Sequence, residues 1–141
     1  MKKYITKYKN IKNNKNIVLY NDNTLALRDG SKEISNIYDY IGNFEYYEDL
    51  KMDVALVKKN VGTTIKDTLI GYIDLDGKLQ SYLYSMYFDK VFCADNDSFE
   101  KLVQSIEKYL EVENKNKENK KEQGIRKVLL LAKIRNKEEH Q

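Results

Sequence analysis

The segment from Lys66 to Val112 constrains the fold most, because it combines a β-hairpin with an amphipathic helix. Asp97 is a suitable N-cap for that helix, and Glu100 follows it at the capping-box spacing. Apolar side chains then recur at helical spacing, namely Phe99, Leu102, Val103, Ile106 and Leu110. Burying these side chains contributes roughly 8–15 kcal/mol before the loss of conformational entropy is subtracted. The segment therefore predicts one helix packed across a small antiparallel sheet.

The hairpin before the helix has a predictable register. A three-residue turn that ends with Gly77 in the left-handed region brings the apolar side chains onto one face. In that register Ile73 lies opposite Leu79, and Leu69 lies opposite Leu83. The other face carries three tyrosines, Tyr72, Tyr82 and Tyr84. We expect a second element of the fold to cover these tyrosines.

The rest of the chain predicts further short elements. Strands are expected at residues 17–20, 24–28, 52–58 and 90–94. Ser31 is a suitable N-cap, and a helical apolar pattern ends at Gly42, so a short helix is predicted at 31–41 and is expected to cover the tyrosines. The predicted fold class is α+β: one antiparallel sheet of about four to six strands, one capped helix, the short helix and a basic C-terminal helical segment.

The charged residues are unevenly distributed along the chain. Residues 1–16 carry six Lys and no acid, residues 17–112 carry a net charge of −7, and residues 113–141 carry a net charge of +4. We therefore predict a basic N-terminal arm (1–16), an α+β globular domain (17–112), and a charged linker with a basic amphipathic C-terminal segment (113–141). The N-terminal arm is expected to be solvated and partly disordered.

The composition argues against several kinds of site. The chain has one Cys and one His, so a single copy can form neither a disulfide framework nor a Cys/His metal site. It has no glycine-rich nucleotide fingerprint, and its carboxylates show no spacing typical of acid/base catalysis. The longest apolar run, Val128 to Ala132, is too short to span a membrane. We expect a cytoplasmic protein that uses no metal and no cofactor.

An acidic, tyrosine-rich stretch is the first candidate for a partner-binding site. Aromatic side chains surrounded by carboxylates suit a surface that accepts a basic partner. The candidate residues are Asp39, Tyr40, Glu45, Tyr46, Tyr47, Glu48 and Asp49. In the alternative interpretation, the aromatic side chains anchor a loop to the core and the acids only solvate it.

The two basic ends are the alternative binding regions. Lysines interleaved with tyrosines can hold a phosphate backbone and stack bases. The N-terminal candidates are Lys2, Lys3, Lys7, Lys9, Lys12 and Lys15. Near the other end an apolar stripe bordered by basic residues consists of Ile125, Val128, Leu129, Leu131 and Ala132. We expect this stripe to pack on protein rather than on a membrane, and a homodimer through residues 125–134 is one such arrangement.

A short motif lies at the C-terminus. The sequence Arg135-Asn136-Lys137-Glu138-Glu139-His140 resembles the Arg-Asn-x-x-x-His signature of HEPN-family ribonucleases. The apolar segment before it resembles the helix that usually carries this motif. The resemblance implies an all-helical domain that cleaves RNA without metal at a dimer interface. It also implies that Arg135 stabilises the phosphate, Asn136 orders the site and His140 transfers a proton.

Three functions follow from these patterns. We interpret the protein as a non-enzymatic interaction protein whose acidic, tyrosine-rich body binds a basic protein or a nucleoprotein complex. A small chain that is rich in the residues favoured by AT-rich codons and has no recognisable catalytic residues suits a phage or mobile-element inhibitor, of the anti-CRISPR or another anti-defence type. The alternatives are a nucleic-acid-binding accessory protein that uses the basic ends, and a HEPN-like ribonuclease that uses Arg135 and His140.

Overall fold

The computed structural model describes residues 3–139, with side chains at all of these except 117–122 and 136–139. The described part contains ten strands and one helix, which confirms the predicted α+β class. The strands form two antiparallel sheets rather than one. The chain divides into two compact units, Met1–Ile106 and Glu107–Gln141. The predicted region boundaries at residues 17 and 113 remain predictions.

The first sheet has four strands in the order β1-β2-β3-β4. They are β1 (Tyr4–Lys12), β2 (Lys15–Tyr20), β3 (Leu25–Asp29) and β4 (Lys32–Glu33). The two central strands supply the most deeply buried side chains of this sheet: Ile17, Val18, Ala26 and Leu27 are at most 1% exposed. The buried surface of this sheet therefore comes mainly from the aliphatic side chains of β2 and β3.

Strand β1 corrects the expectation of a partly disordered N-terminal arm. It pairs with β2 from Tyr4 to Lys12, through three irregularities in register. The two strands are joined at Asn13 and Asn14, whose φ angles are 50° and 65°. Asparagine tolerates the left-handed region better than most residues, and two such residues in succession suit a tight hairpin turn. The two consecutive asparagines are the sequence signal of this turn, although the polar composition around them is also typical of a disordered arm.

The second sheet has six strands. They are β5 (Tyr40–Ile41), β6 (Glu45–Tyr47), β7 (Met52–Asn60), β8 (Thr68–Asp74), β9 (Tyr82–Ser85) and β10 (Lys90–Cys93). Their order is β10-β9-β8-β7-β5, and β6 also pairs with β7. One face of this sheet carries Ala55, Val57, Leu69, Ile73 and Leu83, each at most 1% exposed. This core face is the one that the hairpin analysis predicted.

The predicted helix at 31–41 is wrong. The segment forms β4, an irregular stretch and β5, and Tyr38 makes two backbone hydrogen bonds with Leu25 of β3, at 2.8 and 2.9 Å. The Ser35 hydroxyl accepts a hydrogen bond from the Leu27 backbone over 2.8 Å. Tyr38 is fully buried, and its ring lies 5.1 Å from that of Phe99. A single short helix is marginal alone, and pairing with β3 satisfies the same backbone groups.

The hairpin register is confirmed near the turn and wrong farther away. Gly77 has a φ angle of 77°, and Ile73 pairs with Leu79 as predicted. Leu69, however, lies opposite Ser85 instead of Leu83. An irregularity at Ser81, whose φ angle is 65°, shifts the register by two residues. Because side chains alternate with a period of two, Leu83 keeps its place on the core face.

Helix α1 (Asn96–Glu139) begins slightly earlier than predicted. Its cap is Asp95 rather than Asp97: the Asp95 carboxylate accepts a hydrogen bond from the Ser98 backbone at 2.9 Å, and the Ser98 hydroxyl accepts one from the Asp95 backbone at 3.0 Å. Ser98 therefore takes the reciprocal role that the capping-box spacing predicts for Glu100. The predicted stripe is otherwise correct, since Phe99, Val103, Ile106 and Leu110 are buried and only Leu102 is half-buried. The basic C-terminal segment is helical, as predicted.

Candidate interaction surface

The outer face of the six-stranded sheet is an exposed aromatic surface. Five tyrosines on this side, 36–59% exposed, define what we call the tyrosine face: Tyr40, Tyr47, Tyr72, Tyr82 and Tyr84. They share a side because residues paired across neighbouring strands point the same way. Contiguous aromatic exposure of this kind is uncommon on a folded domain unless it binds something.

One row of this face crosses almost the whole sheet. Tyr40 pairs with Lys58, Lys58 pairs with Ile70, and Ile70 pairs with Tyr84, which in turn pairs with Val91. Four strands and the edge strand β10 therefore contribute side chains to one line. Val91, at the end of the line, is 54% exposed. The row gives the tyrosine face its continuity.

A second row runs beside the first. Tyr72 pairs with Leu56 on β7, and the rings of Tyr72 and Tyr47 meet edge to face with centroids 5.7 Å apart. A hydrogen bond with the Tyr72 side chain raises the pKa of Tyr47 above its ordinary value. Met52, which pairs with Tyr47, is 36% exposed and extends the apolar surface. The two rings support each other, so this part of the face is preorganised.

The tyrosine face already holds one cation. The Lys58 ammonium lies 5.1 Å from the centroid of the Tyr40 ring, which is a cation–π contact. Carboxylates border the face: Glu45 lies in line with Val54 and Asp74 across three strands. Aromatic rings next to carboxylates attract ammonium and guanidinium groups. The chemistry of the face therefore suits basic side chains.

Another carboxylate orders the end of the face near β10. The Tyr84 hydroxyl donates a hydrogen bond to Asp89 over 2.5 Å. This hydrogen bond raises the pKa of Tyr84, because ionisation of the hydroxyl would place two negative charges side by side. Tyr84 therefore stays neutral and donates to Asp89 at physiological pH.

The structure brings only part of the predicted patch onto this face. Tyr40, Glu45 and Tyr47 lie on it, whereas Tyr46 pairs with Asp53 and points to the other side of β6. The Asp39 carboxylate accepts a hydrogen bond from the Asn60 backbone over 2.7 Å, so it has a structural role. Glu48 and Asp49 are exposed in the turn after β6, at the border of the face.

The sequence analysis missed the larger share of the face. Tyr72, Tyr82 and Tyr84 were expected to lie under the 31–41 helix, but they are 36%, 59% and 37% exposed. The signal was present as tyrosines at alternate positions of two predicted strands. What the alternation could not reveal is whether another element covers them, because that depends on the tertiary fold.

The basic N-terminal lysines lie on or beside β1 and β2, and Lys2 lies outside the described residues. Lys12 and Lys15 form ion pairs with Asp53 and Asp76, each at 3.2 Å. Lys9 donates a hydrogen bond to the Asn43 side chain. These contacts connect β1 and β2 to acidic and polar side chains of β7 and of two connections in the second sheet.

The residues of the HEPN-like motif are only partly described. Arg135 is an exposed residue of α1, Asn136 is described by its backbone alone, and His140 lies outside the described residues. The resemblance implies an all-helical domain, whereas residues 4–93 form ten strands. Among the described residues there is no cluster of His, Cys, Asp or Glu that could hold a metal ion. In the same part of the chain, no helix is long and apolar enough to cross a membrane.

The comparisons with known proteins are negative. No protein-family model matches the chain. No curated protein and no solved structure is detectably similar to it. The function proposed for the protein therefore rests on its own residues and their geometry.

Proposed function

We propose that this protein is a non-enzymatic interaction protein that binds a basic macromolecular partner through the tyrosine face, in the cytoplasm. The observation that carries the proposal is the row from Tyr40 to Val91, in which two exposed tyrosines, Tyr40 and Tyr84, lie in one line with the exposed Val91 across the sheet. Tyrosine is enriched at interface hot spots because its ring is large and rigid and its hydroxyl stays hydrated.

The contact between Lys58 and Tyr40 supports a basic partner rather than an acidic one. The Lys58 ammonium lies 5.1 Å from the centroid of the Tyr40 ring, and we expect basic side chains of a partner to contact the other rings of the face in the same way. Glu45, Glu48 and Asp49 add carboxylates at the border, and residues 17–112 carry a net charge of −7. Complementary charge of this kind accelerates association and selects the partner.

The proposed biological role is inhibition of a nucleic-acid-binding complex. Complexes that hold DNA or RNA present Lys and Arg to the phosphate backbone, and an acidic aromatic surface can compete for those side chains. A defence nuclease or a CRISPR effector presents such a surface. The protein would then be a phage or mobile-element inhibitor of the anti-CRISPR or another anti-defence type.

Titration with a short oligo-arginine peptide tests the proposal on the full-length chain. Nuclear magnetic resonance should show the largest chemical-shift changes at Tyr40, Tyr47 and Tyr82. Changes confined to β1 or to helix α1 would contradict it. The peptide is a probe for the chemistry of the face, so the result does not depend on knowing the natural partner.

Reversing the charge at the border of the tyrosine face tests the same proposal independently. Glu48→Lys with Asp49→Lys should slow association with the peptide and weaken the complex, because electrostatic steering is lost. The matched control is Glu107→Lys with Glu111→Lys, which makes the same change in net charge on two exposed residues of α1. If both double variants lower the affinity equally, only net charge matters, and the role of the face is refuted.

Binding of nucleic acid through β1 is the second candidate function. It is favoured by Tyr4 and Tyr8, which are 46% and 60% exposed beside Lys7 on an edge strand. Removing residues 1–16 is not a suitable test, because β1 pairs with β2. Lys3→Glu with Lys7→Glu should instead abolish binding of single-stranded DNA if this function is correct, and wild-type binding should weaken steeply with salt.

The hypothesis of a HEPN-like ribonuclease is tested by an RNA-cleavage assay in the presence of a chelator. We expect no cleavage by the wild type. Metal-independent cleavage that is lost in both Arg135→Ala and His140→Ala would replace the binding proposal with an enzymatic one. Circular dichroism of both variants shows whether any loss of activity is due to unfolding.

A further inference from the structure

Strand β10 forms one edge of the six-stranded sheet, beside Tyr82 and Tyr84 of β9. The two strands pair in regular register, with Val91 opposite Tyr84 and Cys93 opposite Tyr82. Paired residues share a face of the sheet, so Val91 and Cys93 lie on the same side as the two tyrosines. Both residues are exposed. The tyrosine face therefore continues to this edge of the sheet.

The backbone groups of Val91 and Cys93 point away from β9. The Ala94 backbone donates a hydrogen bond over 2.9 Å to the carbonyl of Ser81, the residue that precedes β9. Successive residues of a strand direct their N–H and C=O groups to opposite sides, so Val91 and Cys93 direct theirs to the outer side. In the part of the chain that the structure describes, no strand lies on that side of β10. These groups can therefore pair with an added strand.

The other described sheet edges are less suited to a basic strand. Strand β1 pairs with β2 through three irregularities in register, and it carries Lys7, Lys9 and Lys12, which repel basic side chains. Strands β4, β5 and β6 contain only two or three residues each. Irregular pairing, charged side chains and short length are the features by which proteins protect sheet edges from further pairing. Strand β10 is longer than β4, β5 and β6, pairs regularly and adjoins the tyrosine face.

Carboxylates flank β10 at both ends. Asp89 precedes the strand, Asp95 follows it closely, and both are exposed. A cavity of about 270 Å³ at the end of the strand contains the Asp95 carboxylate together with two hydroxyls; its lining consists of Ser81, Cys93, Ala94, Asp95 and Ser98. The Ser98 N–H and hydroxyl lower the pKa of Asp95, which is therefore ionised at physiological pH. A carboxylate beside hydroxyls suits a guanidinium or ammonium group.

We infer that β10 pairs with an extended basic segment of the partner protein, which adds a strand to the six-stranded sheet. Main-chain hydrogen bonds with Val91 and Cys93 hold the segment in place. Every second side chain of an added strand lies on the tyrosine face, where a basic group contacts the Tyr82 and Tyr84 rings and the flanking carboxylates. The inference rests on the proposed function, because the added strand supplies the basic side chains that the tyrosine face binds.

Amide hydrogen exchange on the full-length chain tests the inference. The probe is the peptide Arg-Val-Arg-Val-Arg-Val-Arg, which places all its arginines on one face when it is extended. The Val91 and Cys93 amides should exchange rapidly in the free protein and slowly with saturating peptide. The Phe92 amide, which faces β9, is the internal control and should exchange slowly in both states. If the Val91 and Cys93 amides exchange slowly in the free protein and rapidly on dilution, a second copy occupies the edge, and the inference is refuted.

Two N-methylated isomers of the peptide test whether its backbone forms the contact. One isomer is methylated at its arginine amides and the other at its valine amides, so each lacks the donors of only one edge. One isomer should bind like the unmodified peptide, and the other should bind roughly 10-fold or more weakly, because it loses at least two hydrogen bonds. Equal affinities of the two isomers would overturn the inference.

A proline on β10 tests the same contact from the side of the protein. Val91→Pro removes an N–H that points outward and leaves the hydrogen bonds between β10 and β9 in place. It should weaken peptide binding roughly 2- to 10-fold, whereas Val91→Thr keeps the N–H and should bind nearly like the wild type. Circular dichroism checks that both variants are folded.

The same titrations separate this inference from the proposed function. Chemical-shift changes at Tyr40 and Tyr47 without protection of the Val91 and Cys93 amides would refute strand addition and leave the proposed function standing. If the peptide causes neither effect, the proposed function fails together with the inference.

Discussion

The Asn96 side chain donates a hydrogen bond to the Gly77 carbonyl over 3.1 Å, which fastens the start of helix α1 to the turn of the β8–β9 hairpin. The other atom of the same amide accepts a hydrogen bond from the Leu79 backbone at 2.9 Å. The Asn96 carbonyl accepts a third from the Asn36 side chain at 3.2 Å. Asn96 therefore joins the start of α1, the hairpin turn and the segment around Asn36, which are far apart in the sequence.

Replacing Asn96 tests that junction. Asn96→Ala removes the partner of two part-buried backbone groups, so we expect the free energy of unfolding to fall by roughly 1–3 kcal/mol. Chemical denaturation followed by circular dichroism measures the loss. Glu100→Ala, at the position where the sequence predicted a capping partner, is the control and should change stability by less than about 0.5 kcal/mol. A larger loss of stability in Glu100→Ala would mean that Glu100 helps to cap the helix, as the sequence predicts.

Gly77 is constrained both by its backbone and by its neighbours. Its φ angle is 77°, and a Cβ atom there would lie 2.6 Å from the carbonyl carbon of Ile34. Gly77→Ala should therefore cost about 1–3 kcal/mol or more, from left-handed strain and displacement of the Ile34 backbone. Gly30→Ala is the matched control, because Gly30 has a φ angle of 59° but nothing within 4 Å of its Cβ position.

The difference between those two variants isolates the contact with Ile34. Gly30→Ala should show only the cost of the left-handed conformation, about 1–2 kcal/mol. Equal losses of unfolding free energy in the two variants would mean that the Ile34 backbone is displaced without a measurable loss of stability. Thermal and urea denaturation of both proteins provide the comparison.

Two leucines, Leu83 and Leu102, should differ in how much their replacement lowers the free energy of unfolding. Leu83 is 1% exposed, so Leu83→Ala should cost roughly 2–5 kcal/mol. Leu102 is only half-buried, so Leu102→Ala should cost clearly less, although the helical spacing predicts that Leu102 is a core residue. Equal losses at both positions, measured by denaturation, would contradict the described packing of α1.

The cap of α1 makes stability depend on pH. The Ser98 backbone N–H and hydroxyl lower the pKa of Asp95. A folded pKa below the unfolded value, about 3.9, stabilises the protein above that pH, and the stabilisation is lost as the pH falls through the folded pKa. Asp95→Asn keeps an acceptor but does not titrate. The melting temperature of the wild type should exceed that of Asp95→Asn at pH 7, and the difference should shrink below about pH 4.

Much of the fold could be predicted wherever the decisive signal was local. The apolar stripe of α1 and the Gly77 turn depend on residues a few positions apart, and both are confirmed. The helix at 31–41 failed because the pairing of Tyr38 with Leu25 is not local, and the same backbone groups are satisfied by either structure. The register shift at Ser81 has no sequence signature.

The residues of the tyrosine face also differ in whether local sequence signals could predict them. Tyr40, Glu45 and Tyr47 belong to a short stretch whose composition stood out, and they were found. For Tyr72 and Tyr82 the sequence predicts a shared face but not its exposure, because alternation places residues on a face and does not reveal whether another element covers it. Their exposure could be established only from the arrangement of the whole sheet.

The affinity of two matched variants for the oligo-arginine peptide tests the central claim most directly. Tyr82 on the tyrosine face and Tyr8 on β1 are 59% and 60% exposed, so Tyr82→Ala and Tyr8→Ala remove equally accessible rings. Isothermal titration should show a loss of roughly 2- to 5-fold for Tyr82→Ala, which corresponds to a cation–π contribution of about 0.5–1 kcal/mol. Tyr8→Ala should bind like the wild type. Equal affinities of the two variants would contradict a binding role for the tyrosine face.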